Sequence, residues 1–327
     1  MKSTSSTFHS AEKLSLSKAL RQALRTALPA TWKSGSWLLS LMIPISLSVT
    51  LLQHWGVMAW IGTWLNPLFE HMGLQGSSSV VFISGALAGT YTGLAAALCV
   101  PMTLRQATIV LIMIGICHAL PMECAVNRKT GSSFWLMGLL RITSAFLCAF
   151  VLNWLLPPLE QSYLYLGAPP ESTLSQVLCT WVLSQMKMAL MIFSIIYSLM
   201  IIQRLLEIYN LLPPISRFLT TLMRLFGLPP KAAYMWLVGN VIGLSYGAAV
   251  MLELEEKGII TRQDADAVNY HLIMNHSMLE DTIVLCSTGV SALWILGTRL
   301  SFAILMVWIK KGADRLYAMY AYSSGKA

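Results

Sequence analysis

Charge is what this sequence most lacks. Only 11% of its 327 residues are Asp, Glu, Lys or Arg, against about a quarter in an average soluble domain, while 56% are hydrophobic. That balance excludes an ordinary water-soluble fold. A Gly-rich phosphate loop is missing, and so is any basic stripe interleaved with aromatics, which removes nucleic acid as a partner despite the formal charge of +8. The six cysteines, Cys99, Cys117, Cys124, Cys148, Cys179 and Cys286, lie mostly in apolar runs without metal-ligand spacing and read as small buried hydrophobes, so no metal site is assigned. No Ser or Cys stands beside a base in a recognisable motif, hence no catalytic residue, no enzyme and no cofactor are expected. A cleavable leader is not expected either, because the first 35 residues are basic and the first apolar run begins after Lys33.

What the chain has instead is apolar runs of membrane-spanning length, at about 36–54, 79–100, 133–156, 188–203, 232–252 and 291–309. Two further apolar stretches, 104–120 and 266–288, carry polar groups. The chain also repeats itself. Residues 18–97 match 172–251 at an offset of 154, pairing Gln22 with Gln176, Lys33 with Lys187, Gly73 with Gly227, and Gly85, Gly89 and Gly93 with Gly239, Gly243 and Gly247. A four-residue insertion near Glu253–Glu256 shifts the offset to 158, which then pairs Thr103 with Thr261, His118 with His276, Glu123 with Asp281, Thr130-Gly131 with Thr288-Gly289, and Arg141 with Arg299. Apolar low complexity produces chance Leu and Ala matches but does not align a His, an acid and an Arg at one offset.

Basic residues set orientation, because cytoplasmic loops are enriched in them. With the N-terminus inside, the segments 1–35, 101–105, 127–132, 203–231 and 310–327 face the cytoplasm and hold seventeen of the 22 Lys and Arg residues. Equivalent segments then face opposite sides, the charge pattern of an inverted repeat. Inversion requires that 103–131 enter and leave by one face. Thr103 with Gln106, and Thr261 with Asp264, read as capping boxes that start a helix. From there to His118 is only about 22 Å of helix, short of a hydrocarbon core of about 30 Å. Pro121 disfavours straight continuation. Both 104–131 and 262–289 therefore read as re-entrant hairpins, with full spanning as the alternative.

The expected fold class is all-α integral membrane: two inverted helical repeats with re-entrant hairpins and interfacial amphipathic helices. The expected divisions are a basic cytoplasmic tail (1–17), a first unit (18–156), an external linker (157–171), a second unit (172–312) and a cytoplasmic tail (313–327).

Each unit offers a His, an acid five residues on and an Arg eighteen further: His118, Glu123, Arg141 and His276, Asp281, Arg299. Each Arg lies about 12 Å into its helix, where an unpaired charge costs at least about 2.5 to 3.5 kcal/mol, so each should find a carboxylate. Glu123 is assigned to Arg141 and Asp281 to Arg299, although exchange across the units fits equally well. These pairs either pin each hairpin to its neighbouring helix or belong to a substrate site at the midplane. The second unit adds Asn275 and Glu280, the latter a candidate for a coupling proton beside His276, a residue type that changes charge near neutrality. The glycine ladders favour close helix packing; alternatively the hydroxyls between them, on Tyr91, Thr92, Ser245 and Tyr246, line a cavity.

At His118-Ala-Leu-Pro-Met-Glu123 and Asn275-His276-Ser-Met-Leu-Glu280-Asp281-Thr282 the sequence resembles the Gate family, the nucleoside recognition domain. That family occurs in spore-maturation membrane proteins and, more distantly, in the membrane part of ferrous iron transporters and in concentrative nucleoside transporters. The resemblance spans both units and implies inverted Gate repeats with a transport-like role. The leading expectation is a multi-pass protein of the bacterial inner membrane, with both termini cytoplasmic, that acts as a secondary transporter of a small polar or anionic solute, nucleoside-like or otherwise. The alternatives are a non-transporting scaffold of envelope or spore-type maturation and, third, divalent metal transport. Expected partners are the lipid bilayer, a small-molecule solute and either a second copy or a second Gate protein.

Overall fold

A computed structural model describes residues 15–167 and 172–323. Every regular element in it is helical. In chain order these are α1 (Leu16–His54), α2 (Val57–Glu70), α3 (Ser78–Ala88), α4 (Thr90–Ala97), α5 (Leu104–Ile116), α6 (Leu120–Lys129), α7 (Phe134–Leu155), α8 (Leu174–Ile208), α9 (Leu212–Leu225), α10 (Ala233–Val241), α11 (Leu244–Glu256), α12 (Arg262–Asn275), α13 (Met278–Cys286) and α14 (Ala292–Ser323). A single 3-10 turn, Pro230–Ala232, precedes α10.

Among the described residues five segments are long and apolar enough to cross a bilayer: Leu16–His54, Leu104–Lys129, Phe134–Leu155, Leu174–Ile208 and Ala292–Tyr320. Large apolar side chains such as Trp135, Trp154, Leu190 and Phe218 stand exposed on the outside, as suits a surface solvated by lipid rather than water. The protein is thus an all-α, multi-pass membrane protein. Three of the apolar runs read from the sequence prove to be parts of longer helices, α1, α8 and α14, and the last of these carries the expected C-terminal tail into regular structure as far as Ser323. The expected N-terminal tail lies almost wholly outside the described residues, and the expected linker does so at 168–171.

Two runs read as continuous spans, 79–100 and 232–252, are instead each broken in two. The break falls on Gly89 (φ +114°) between α3 and α4, and on Gly243 (φ +121°) between α10 and α11. Hydropathy does not register these breaks, because the flanks are apolar on both sides. Only glycine adopts such a φ without strain. The folded-back halves then touch along the rest of the ladder: a Cβ on Gly93 would lie 2.9 Å from Gly85 Cα, and one on Gly247 2.9 Å from Gly239 Cα. Packing therefore accounts for the outer glycines and backbone bending for the middle ones.

The Thr103–Gln106 and Thr261–Asp264 capping boxes are both formed, each with its reciprocal side-chain and backbone hydrogen bonds. Asp264 also meets Lys231 Nζ at 2.6 Å. Partial burial works to raise its pKa, but the lysine and the Thr261 bonds prevail and hold the carboxyl below its ordinary value. Past each box the helix is short. The 13 residues of α5 span about 20 Å, after which the chain turns at Ala119 (φ +42°) into α6, and α12 turns at Ser277 (φ +50°) into α13. Pro121 sits in the first turn of α6, where its missing N–H costs nothing. The second turn has no proline and still forms. Helix order therefore matches between the halves: α1–α7 correspond one by one to α8–α14.

Candidate functional site

The centre of the molecule is built around the two helix breaks that follow α5 and α12. A helix that stops inside an apolar core leaves its last carbonyls without partners and a partial negative charge at its end. Each buried arginine answers that need. Arg141 Nε donates to the Ile116 carbonyl at 2.8 Å, and Arg299 Nε to the Met274 carbonyl at 3.1 Å, with Nη2 on the His276 carbonyl at 2.8 Å. Both guanidiniums are buried. Their remaining charge goes to the carboxylate in the first turn of the following helix: Arg141 pairs with Glu123, and Arg299 Nη1 meets Asp281 Oδ2 at 2.8 Å. Each arginine thus bridges the negative end of one half-helix and an acid in the first turn of the next.

The two units then meet at their histidines. His118 and His276, equivalent in the repeat, have Nε2 atoms 3.1 Å apart. Glu123 Oε1 lies 2.9 Å from His276 Nε2 and 3.1 Å from His118 Nε2. On the far side of each ring Nδ1 faces a backbone carbonyl, that of Ile114 at 3.0 Å and that of Leu272 at 2.8 Å. A carbonyl only accepts, so both Nδ1 atoms carry hydrogen, and in the neutral rings both Nε2 lone pairs point at each other and at Glu123.

Beside this cluster lies a cavity of about 680 Å³. Tyr91 and Glu280 form one part of its wall, the phenol donating to the carboxylate at 2.8 Å. Tyr246, Ile242, Lys33, Trp37, Gln203, Arg204 and Glu207 are among the other lining residues. The cavity draws on α1, α4, α8, α11 and α13, hence on both units and on the breaks at Gly89 and Gly243. Gln203 Nε2 donates to the Val241 carbonyl at 2.9 Å, beside the second of those breaks. Arg204 pairs with Glu207 at 2.7 Å, and Lys33 is the second cation of the lining.

The candidate residues therefore separate into groups. His118, His276, Glu123 and Arg141 form one cluster, with Arg299 and Asp281 alongside. Glu280, Tyr91 and Tyr246 line the cavity. Thr92 is buried and bonds the Ala88 carbonyl at 3.4 Å, Ser245 is exposed, and Asn275, also buried, points its amide nitrogen at Met278 Sδ, 3.5 Å away; none of the three lines the cavity. Sequence reasoning missed the meeting of His118 with His276, which no local pattern encodes. It also missed Lys33 and Arg204 as lining residues, although Lys33 recurs as Lys187 in the repeat.

The resemblance read from the His118–Glu123 motif is borne out: the Gate family model, described as nucleoside recognition, matches residues 36–132. An uncharacterized membrane protein of Bacillus subtilis (strain 168), YvoD, is 27% identical over 299 residues, which cover 89% of this chain and 93% of the relative. No solved structure matches.

Proposed function

We propose that the protein is a secondary transporter of a small polar or anionic solute, nucleoside-like or another metabolite, held in the cavity that Tyr91, Tyr246 and Glu280 line. The observation that carries this reading is the cavity itself. Its volume falls within the usual range of about 300–1,000 Å³ for small-molecule sites. Its wall combines aromatic rings with a few polar groups, and it lies against two helices broken at glycine. Broken helices at the junction of repeats are where transporters hold solute. Within the lining Arg204 is already paired with Glu207, so Lys33 is the cation offered to an anionic group, whereas Arg141 and Arg299 are spent on the helix breaks.

In the same reading the units are inverted in the bacterial inner membrane with both termini cytoplasmic, α5–α6 and α12–α13 are re-entrant, and the short helices α2 and α9 lie at the interface. The two matched breaks then serve as the moving parts on either side of the solute. Glu280 is the residue poised to carry a coupling proton, since it is the central carboxylate that neither arginine pairs.

The test is a thermal-shift screen of the purified protein against nucleosides, organic anions and dipeptides, followed by uptake of any hit into proteoliposomes. Glu280→Gln and Tyr91→Phe should each abolish the ligand-induced shift and uptake while the protein still elutes as a folded species. Undiminished uptake in both variants would sink the proposal.

A further inference from the structure

Three atoms at the centre, Nε2 of His118, Nε2 of His276 and Oε1 of Glu123, form a triangle with edges of 3.1, 2.9 and 3.1 Å. All three bear lone pairs. Both histidines have spent their only hydrogen on a carbonyl, so neutral rings leave three acceptors in contact with no donor between them, an arrangement that repels unless a cation is shared.

From this geometry we infer that His118, His276 and Glu123 are the ligands of a divalent transition-metal site that joins the two units. Ligand bonds of about 2.1 Å meeting at roughly 90° separate the ligand atoms by about 3.0 Å, which matches the triangle edge for edge. Two imidazoles and one carboxylate on a single face are a set that suits first-row metals and leaves the opposite positions open. The outer contacts are those such a site requires. Each Nδ1–H is held by a backbone carbonyl, fixing the tautomer and aiming Nε2 inward, and the second oxygen of Glu123 is held by Arg141. A single proton satisfies one edge of the triangle. A metal ion satisfies all three corners.

Because one ligand set comes from the loop after α5 and the first turn of α6, and the other from the loop after α12, metal binding ties together elements 153 to 158 residues apart in the chain. This inference is independent of the solute cavity, whose lining contains none of the three ligands.

The full-length protein, purified in detergent and stripped with EDTA, is titrated with Co²⁺ by calorimetry, and the loaded protein is examined by X-ray absorption. One equivalent per chain with two imidazole scatterers is expected. His118→Gln and His276→Gln should each weaken Co²⁺ binding at least tenfold, and Glu253→Gln, which alters an exposed carboxylate on α11, should leave it unchanged. The wild-type spectrum needs no variant to fold. Absence of a stoichiometric site, retention of affinity in both histidine variants, or nitrogen NMR showing one Nε2 protonated equally with and without Co²⁺ would overturn the site in favour of a shared proton. Uptake that persists without bound Co²⁺ would separate the fate of this site from that of the transport reading.

Discussion

His118 and His276 occupy equivalent places in the two units, 158 residues apart, and their Nε2 atoms lie 3.1 Å from one another. Equivalent residues of the two units thus touch one another directly. The same offset relates the carbonyls that the arginines cap, Ile116 and Met274, and the left-handed turn residues Ala119 and Ser277. Even the docking of the turns agrees, with Ala119 N–H donating to the Gly85 carbonyl at 3.1 Å and Ser277 N–H to the Gly239 carbonyl at 3.3 Å.

Removing one member of a buried pair leaves the other charge uncompensated. Asp281→Asn is expected to destabilise the protein by about 3 to 5 kcal/mol, read as a lowered melting temperature in detergent. Arg299→Met combined with Asp281→Asn should recover part of the loss, though the Met274 and His276 carbonyls remain uncapped. If the single and double variants melt together, the pair is not acting as a unit.

The ladder glycines make a different prediction. Gly93→Ala and Gly247→Ala each place a Cβ against the backbone of Gly85 or Gly239, which has no side chain to move aside, and should cost about 1 to 3 kcal/mol as overpacking. Gly89→Ala meets no atom within 4 Å but forces alanine to φ +114°, so its cost is backbone strain of the order of 1 to 3 kcal/mol. Unchanged melting of Gly89→Ala would mean that the break relaxes toward a straight helix.

The two capping boxes should part company in acid. Asp264 has a carboxyl held below its ordinary value by Lys231 and Thr261, against the opposing effect of burial, so its contribution is present above the unfolded pKa and is lost as pH falls through the lowered folded value. Gln106, its counterpart, does not titrate. Hydrogen exchange is therefore expected to rise at the start of α12 on acidification, while the start of α5 is unaffected; equal loosening of both would contradict this account.

Orientation is open to direct measurement. In a background freed of the six native cysteines, Lys129→Cys and Ser287→Cys should react with an impermeant maleimide from opposite sides of the membrane. Reaction from one side would refute the inversion.

The parts legible in the sequence are those set by short-range physics. Thr103 with Gln106 and Thr261 with Asp264 announce helix starts because a cap and its reciprocal acceptor lie three residues apart. Arg141 and Arg299 could be paired with their acids because a mid-depth guanidinium must have a partner and each unit offers an acid at the same spacing. The breaks at Gly89 and Gly243 were hidden by apolar flanks, which read alike whether the chain runs straight or doubles back. The contact of His118 with His276 follows only from how one unit sits against the other, and nothing within either unit specifies it. Lys33 and Arg204, likewise, become neighbours of Glu280 only after α1 and α8 pack against the broken helices.

Glu123 reaches both rings, while among the described ion pairs Asp281 meets Arg299 alone. The difference is one methylene. Had the protein been a dimer of identical halves, two carboxylates of equal length would compete for the one space between the histidines, and their mutual repulsion would push both away from it. Joining the halves in one polypeptide removes that constraint, since each copy can now vary without altering the other. A centre built from repeated parts is thereby free to be lopsided, with a single acid serving two histidines.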